Sequence, residues 1–257
     1  MPDDAHHPED GPTLSMPASQ ASPLLSSFAT FLTLAIHSLL YHRNLYAPET
    51  FLTARAYNLP VHQSRHPGVC TWVSDAVAAV AAQVQRAAVH RVVLAVHAPT
   101  RAFAVLERWV FDVARFPDWG SRDEDGGGNI AGAGAGDAED DQQVNWTDVN
   151  EALRGALRRL AYAAEKMPRL PEGCTFTLAV ELRDEASAPI GHPQEWIPSQ
   201  PDLQPPSKGD ARKEPLAVTS TQATPIRSVQ AGPLFFECWV EQPKPEVDDS
   251  KQPSTGP

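Results

Sequence analysis

The 257-residue sequence predicts an α+β fold in one domain, and three observations carry that expectation. Three stretches place apolar residues three and four apart, the spacing of a buried helix face. Four other stretches are continuous or alternating runs of β-branched and aromatic residues. Their order is helix, helix, hairpin, helix, strand, long loop, strand. Strands that follow each other through short connections pair antiparallel, which leaves the helices to one face.

The first helix is expected from Ser22 to Leu45. Ser22 is a suitable N-cap, and Pro23 suits the first helical position. Leu25, Phe28, Leu32, Ala35, Ile36, Leu39 and Leu40 form its stripe, and Phe31, Leu34 and Tyr41 widen it, so this helix is central. Pro48 ends it. The segment from Phe51 to Asn58 is short and mixed, a candidate strand, and Pro60 and Pro67 bracket a loop. A second helix is expected from Gly68 to Arg86, with Val69, Val73, Val77, Val80 and Val84 on one stripe. HRVVLAVHA (90–98) reads as an inner strand, and Pro99-Thr100 as a turn. The stretch 102–116 alternates with Val105, Trp109 and Phe111 inward, once a bulge is allowed. A third helix is expected from an N-cap at Thr147 to Met167. GCTFTLAVELRDE (173–185) is the clearest strand. PLFFECWVEQ (233–242) is the last, alternating Leu234, Phe236, Cys238 and Val240 against Phe235, Glu237 and Trp239.

Charge and proline are unevenly spread. Thirteen of the 25 prolines follow residue 186, which predicts an irregular last third. Most of the net charge of −11 lies outside the expected elements. Residues 1–23 carry −4, residues 118–143 carry −7 and residues 241–257 carry −2. The remainder is close to neutral, so charge alone predicts neither strong DNA binding nor DNA exclusion. The expected organisation is a disordered tail 1–21, a domain 22–242 with an acidic Gly-rich insertion 118–145, and a tail 243–257. The three cysteines are odd in number, far apart and without a CxxC, which fits free thiols in a reducing compartment.

No motif supplies catalysis. His62, His66 and Cys70 recur every four residues, a zinc-like spacing on one helix. Pro67 disfavours the helical conformation at His66, so the three cannot share a helix. GAGAG (132–136) is flanked by acids and is not fed by a strand, so a phosphate loop is not expected there. No nucleophile, base and orienting group assemble, and neither a metal nor a cofactor is expected. The residues that stand out are Trp72 and Trp196, aromatic and isolated in polar surroundings, a pattern of peptide anchors.

The ordered set AIHSLLYHRNLYAPETF (35–51), AYNLPVHQSRHP (56–67), VHRVVLAV (89–96), WVFDV (109–113), PEGCTFTLAVELRDE (171–185), EWIP (195–198) and TPIRSVQAGPLFFECWVEQ (224–242) resembles the HORMA-domain family. Within it, the set is most similar to the branch of non-catalytic accessory subunits of DNA polymerase zeta. The resemblance implies an antiparallel sheet of three core strands, backed by three helices. It also implies a mobile C-terminal safety belt, here 186–242 with a Pro-rich expansion 199–222, that closes over a bound peptide. By the same resemblance the partners are a Pro-containing peptide of the polymerase zeta catalytic subunit and the C-terminal domain of a Y-family inserter polymerase. A second HORMA domain is a further partner, and the location is the nucleus. Trp72 stands where the family has a Tyr against the peptide, Trp196 matches the belt Trp, and Tyr57 heads the stretch leading to Trp72. Arg154 matches the Arg of the HORMA–HORMA dimer face. Trp239 stands where the family has a Tyr on the inserter-polymerase face, although Ala223 and Glu237 depart from the Leu and Gln expected beside it. The alternative within the family is an adaptor of the spindle checkpoint or the meiotic chromosome axis.

Overall fold

The longest apolar stripe in the chain becomes the axis of the molecule. The structure is a computed structural model that describes residues 18–99, 104–117, 119, 144–184, 186, 196 and 221–243. Helix α1, Ala18–His42, buries Leu24, Phe28, Phe31, Leu32, Ile36, Leu39 and Leu40 almost completely. Its length and hydropathy would suit a membrane span, but more than half of that window is buried inside the fold. Among the described residues the helix already includes Ala18, so the expected N-cap at Ser22 is corrected. Pro23 lies within the helix. The proline forfeits one backbone bond near the free end, while buried Ala21 and Leu24 carry the stripe past it. Asn44 ends the helix at φ 54°, and Leu45 N–H bonds back to the Leu40 carbonyl at 3.0 Å.

A short 3₁₀ turn, Pro48–Thr50, leads to strands β1 (Phe51–Ala56) and β2 (Leu59–Ser64), which pair as an antiparallel hairpin. The loop expected between Pro60 and Pro67 is therefore mostly strand. The turn residues Tyr57 and Asn58 have φ of 48° and 56°. That pair of left-handed residues matches the right-handed twist of a two-residue hairpin. Asn is common there and Tyr is not, which hides the hairpin from a sequence reading. Pro60 faces Arg55 in a sheet of two strands, where a missing donor is tolerated.

Helix α2, Pro67–Gln85, buries the expected stripe Val69, Val73, Val77, Val80 and Val84. Strands β3 (Val89–His97), β4 (Val105–Asp112), β5 (Thr175–Leu182), β6 (Thr221–Ala231) and β7 (Leu234–Pro243) form one antiparallel sheet in the order β5-β3-β4-β7-β6. The three expected core strands are its first three, and the C-terminal hairpin extends them. The register shifts between Val96 and His97, as the bulge predicted. Trp109 and Phe111 point inward, but Val105 is only half-buried, and buried Glu107 shares their face. Helix α3, Trp146–Lys166, buries Leu153, Leu157 and Leu160. Its N-cap is Asn145, not Thr147, because the Asn145 Oδ1 accepts from Thr147 N–H at 3.1 Å and Asp148 N–H at 3.4 Å. The three helices and the helix-facing sides of the strands share one core. Phe28 and Phe31 meet Phe236 at 5.5 and 5.3 Å, and Phe31 meets Phe111 at 6.1 Å.

Glu107 is 1% exposed in this apolar layer, and Arg43 meets it in a bidentate pair, Nη2 to Oε1 at 2.6 Å and Nε to Oε2 at 3.0 Å. Arg43 also donates to the carbonyls of Ala164 at 2.9 Å and Pro168 at 2.6 Å, and Trp109 Nε1 donates to Glu107 at 3.0 Å. One guanidinium thus ties the end of α1 to the central strand β4 and the end of α3. The remaining expectations for the insertion 118–145, the Pro99-Thr100 turn, the expansion 199–222 and the two tails fall almost wholly outside the described residues. The cysteines are free, with Cys238 buried and its thiol pushed up to about 12 by burial. Removing one partner of a buried pair leaves an uncompensated charge. Glu107→Ala is expected to lose about 3–5 kcal/mol in urea unfolding.

Candidate functional site

Strand β5 is the edge of the large sheet, paired to β3 alone among the described residues. An edge strand leaves a row of N–H and C=O groups for another chain to meet. Its side chains are half-buried or exposed along the whole strand. Phe176 and Leu178 face the core side, opposite Val96 and Leu94 of β3.

Aromatic side chains gather at the start of this edge. Trp72 sits in the second turn of α2, which Pro67 and an extended His66 start abruptly (φ −75°, ψ 116°). Its ring meets Phe176 edge-on at 5.2 Å and 90°. Tyr46, placed by the left-handed turn after α1, meets the same Phe176 at 6.2 Å and 79°, and remains 37% exposed. Trp196 packs half-buried against the same core. Sequence reasoning found Trp72 and Trp196 but missed Tyr46 and Phe176. Phe176 was legible only as a strand residue, since nothing in its neighbours marks it as the ring under Trp72.

Tyr57 belongs elsewhere. It forms the tip of the β1–β2 hairpin, in the other sheet, and its half-buried ring has its hydroxyl pKa raised by burial. The geometry does not bring it to Phe176. The zinc-like triplet disperses as well. His62 stacks on Tyr41 at 3.5 Å and 14°, His66 caps α2 with its backbone, and the Cys70 thiol donates to the Ser64 carbonyl at 3.0 Å.

Trp239 lies on β7, on the sheet face away from the helices, opposite Val110 of β4 and Pro225 of β6. A ladder of charges crosses this face. Arg91 pairs with Asp112 at 2.9 Å and Glu181 at 3.3 Å, and Arg108 pairs with Glu181 and, at 2.7 Å, with Glu241. Trp239 Nε1 donates to Glu241 at 2.9 Å, and the Arg91 guanidinium lies 5.4 Å from its ring. Trp239 is therefore held in a fixed orientation on a surface separate from the Trp72 cluster. Arg154 occupies a third surface, on α3, with 38% of its side chain exposed beside Glu151 at 3.0 Å. Its neighbour Gly155 admits the Arg227 guanidinium, which lies 2.9 Å from where a Cβ would be. Arg108 is half-buried, so its pairs are screened. Arg108→Met is expected to lose about 1 kcal/mol at low salt, and chemical denaturation in 1 M NaCl should show a smaller loss.

The family model for the HORMA domain matches residues 25–232. A relative from Schizosaccharomyces pombe, the DNA polymerase zeta processivity subunit, is 29% identical over 216 residues, covering 84% of this chain and 91% of its own. The human mitotic spindle assembly checkpoint protein MAD2B is 25% identical over 161 residues, covering 61% and 64%. A chain from a crystal structure of the mitotic checkpoint complex superposes with a TM-score of 0.60 at 18% identity, over 85% of this chain and 97% of its own. Caenorhabditis elegans HTP-2 bound to a HIM-3 closure motif superposes with a TM-score of 0.54 at 11% identity, over 90% and 92%. The solved structures share the fold.

Proposed function

This chain belongs to the HORMA domain family, and we propose that it is a non-catalytic adaptor subunit of a translesion DNA polymerase zeta. It would act in the nucleus by holding a Pro-containing peptide of the catalytic subunit. The observation that carries this reading is the free edge of β5 with Tyr46, Trp72 and Phe176 at one end. A peptide laid along β5 adds a strand, so its main chain supplies affinity whatever its sequence. Selectivity then comes from rings that accept proline faces, with Trp196 closing from the belt and Tyr57 acting at most through the position of the hairpin.

Sheet topology supports a belt. The chain leaves β5 at one edge of the sheet and returns as β6–β7 beyond β4, on the other side. Residues 183–220 therefore join opposite edges, and Trp196 within them packs on the core. A connection between opposite edges is what a belt over a peptide on β5 would require. The outer face around Trp239 is the proposed dock for the inserter polymerase, with Ala223 opposite Glu241 in the register there. The exposed α3 surface at Arg154 is the proposed contact with a second HORMA domain. Two docks on one body raise the local concentration of one polymerase near the other, which requires no chemistry by the adaptor.

Isothermal titration with the Pro-containing peptide tests the site. Trp72→Ala and Trp196→Ala are expected to weaken binding by about 30-fold or more, the loss typical of an interface anchor. Unchanged affinity in both would refute the reading. Capture of checkpoint or chromosome-axis peptides in its place would keep the edge site and change the partner. Arg154→Ala is expected to shift stability by no more than about 0.5 kcal/mol, so loss of self-association in sedimentation would report the interface itself.

A further inference from the structure

Three of the nine histidines meet at one seam, between α1 and the β1–β2 hairpin. His37, on α1 and 2% exposed, uses Nδ1 to accept the backbone N–H of Ser64 on β2 at 3.5 Å. His62, on β2, lies flat on Tyr41 of α1 at 3.5 Å. His42, the last residue of α1, turns its ring edge to Tyr41 at 5.0 Å and lies 5.6 Å from His62. Phe51 of β1 closes on the other side of Tyr41 at 5.4 Å. One carboxylate, Glu165 of α3, acts favourably on His42, and His62 acts against it. The neighbouring Arg43 is turned into the core against Glu107. From the start of α2, the Cys70 thiol bonds the Ser64 carbonyl and the His66 N–H bonds the Ser64 Oγ.

We propose that this seam is a proton-operated latch, closed when the three imidazoles are neutral and opened when they are protonated. The chemistry at His37 is the most direct. A proton on Nδ1 sets a donor against the Ser64 N–H, whose residue is 3% exposed, so the lost bond is costly. At the other end, a charge on both His42 and His62 places like charges together at the foot of the hairpin. Ser64 passes the change on. Its Oγ accepts from His66 N–H at 3.2 Å and its carbonyl from Cys70, so it fixes the first turn of α2, one turn before Trp72. Opening the latch loosens the base of the aromatic cluster. That last link rests on the peptide site proposed above; the latch does not.

The direction of the pH effect follows from burial. Burial lowers the pKa of His37, His42 and His62 from the ordinary 6.5, with His62 a further cause at His42. A histidine held below its unfolded value binds its proton less readily when folded. The seam is therefore at full strength above pH 6.5, and loses strength as pH falls below 6.5 toward the folded values.

Two measurements on the full chain test this. In a ring-nitrogen NMR titration the three histidines are expected to titrate below 6.5, and titration of all three at or above that value would overturn the latch. In hydrogen exchange, corrected for the intrinsic rate, amides of residues 51–64 are expected to lose about tenfold or more protection relative to β3–β4 between pH 7.5 and 5.5. Tenfold corresponds to one unit of pKa displacement. The double variant His42→Leu, His62→Gln should reduce that difference. Hairpin and β3–β4 amides losing protection together, or a variant as pH-sensitive as the parent, would overturn the proposal. If the variant does not fold, the NMR titration of the parent decides. A loss of Pro-peptide affinity at low pH without a change in hairpin exchange would overturn the latch and leave the pH effect to the peptide site.

Discussion

The rest of the structure depends on a buried ion pair. Arg43 and Glu107 sit in an apolar layer where either charge without its partner would be costly. Each is satisfied by the other and by fixed partners. Glu107 takes the Trp109 indole, and Arg43 takes carbonyls at the end of α3. Removing water from this pair is costly, so it is not an obvious source of stability. What it supplies is position. The guanidinium accepts one arrangement of three elements: the end of α1, the middle of β4 and the last turn of α3. Because Tyr46 leaves α1 three residues after Arg43, the same pair sets where the candidate site begins.

From that fixed centre the sheet extends in two directions with different characters. On one side β5 ends the sheet of the described residues, paired to β3 alone among them, with aromatic rings at its start. On the other side β7 and β6 complete it. Arginine–carboxylate pairs cross the outer face from Glu181 of β5 to Glu241 of β7, and β6 is drawn onto α3 where Gly155 makes room for Arg227. The open edge suits a guest strand, and the covered side suits a rigid docking face. An adaptor needs both, held at a constant distance, and a sheet with one core provides that. The β1–β2 hairpin stands apart from this sheet, attached through α1 and Ser64, and it is the part whose attachment responds to protons.

Much of the fold was legible in the chain, and the reasons are local. The valine stripe of α2 and the leucines of α3 repeat at helical spacing whatever surrounds them, and HRVVLAVHA can be little but an inner strand. The errors were also local in origin. Asn145 caps α3 in place of Thr147 because two residues only two apart could both cap, and the side-chain oxygen that reached the free N–H groups was decided by the backbone. Strand β1 was expected, but β2 was read as a loop and the hairpin was missed, because Tyr57 in a left-handed turn and Pro60 in a strand are each unusual. Both are tolerated only because the pair of strands packs on α1.

By itself, the sequence determined the three helices, the strands β3, β4, β5 and β7, the α+β class, the family and the isolation of Trp72 and Trp196, since periodicity, turn residues and ordered matches are properties of the chain. Tertiary structure alone decided that Phe176 and Tyr46 join Trp72, that Tyr57 does not, that a glutamate is buried beside Trp109, and that three histidines face one seam. Each of these joins residues distant in sequence through sheet order and register. A chain read one residue at a time carries the pattern of each strand but not the neighbour it will take.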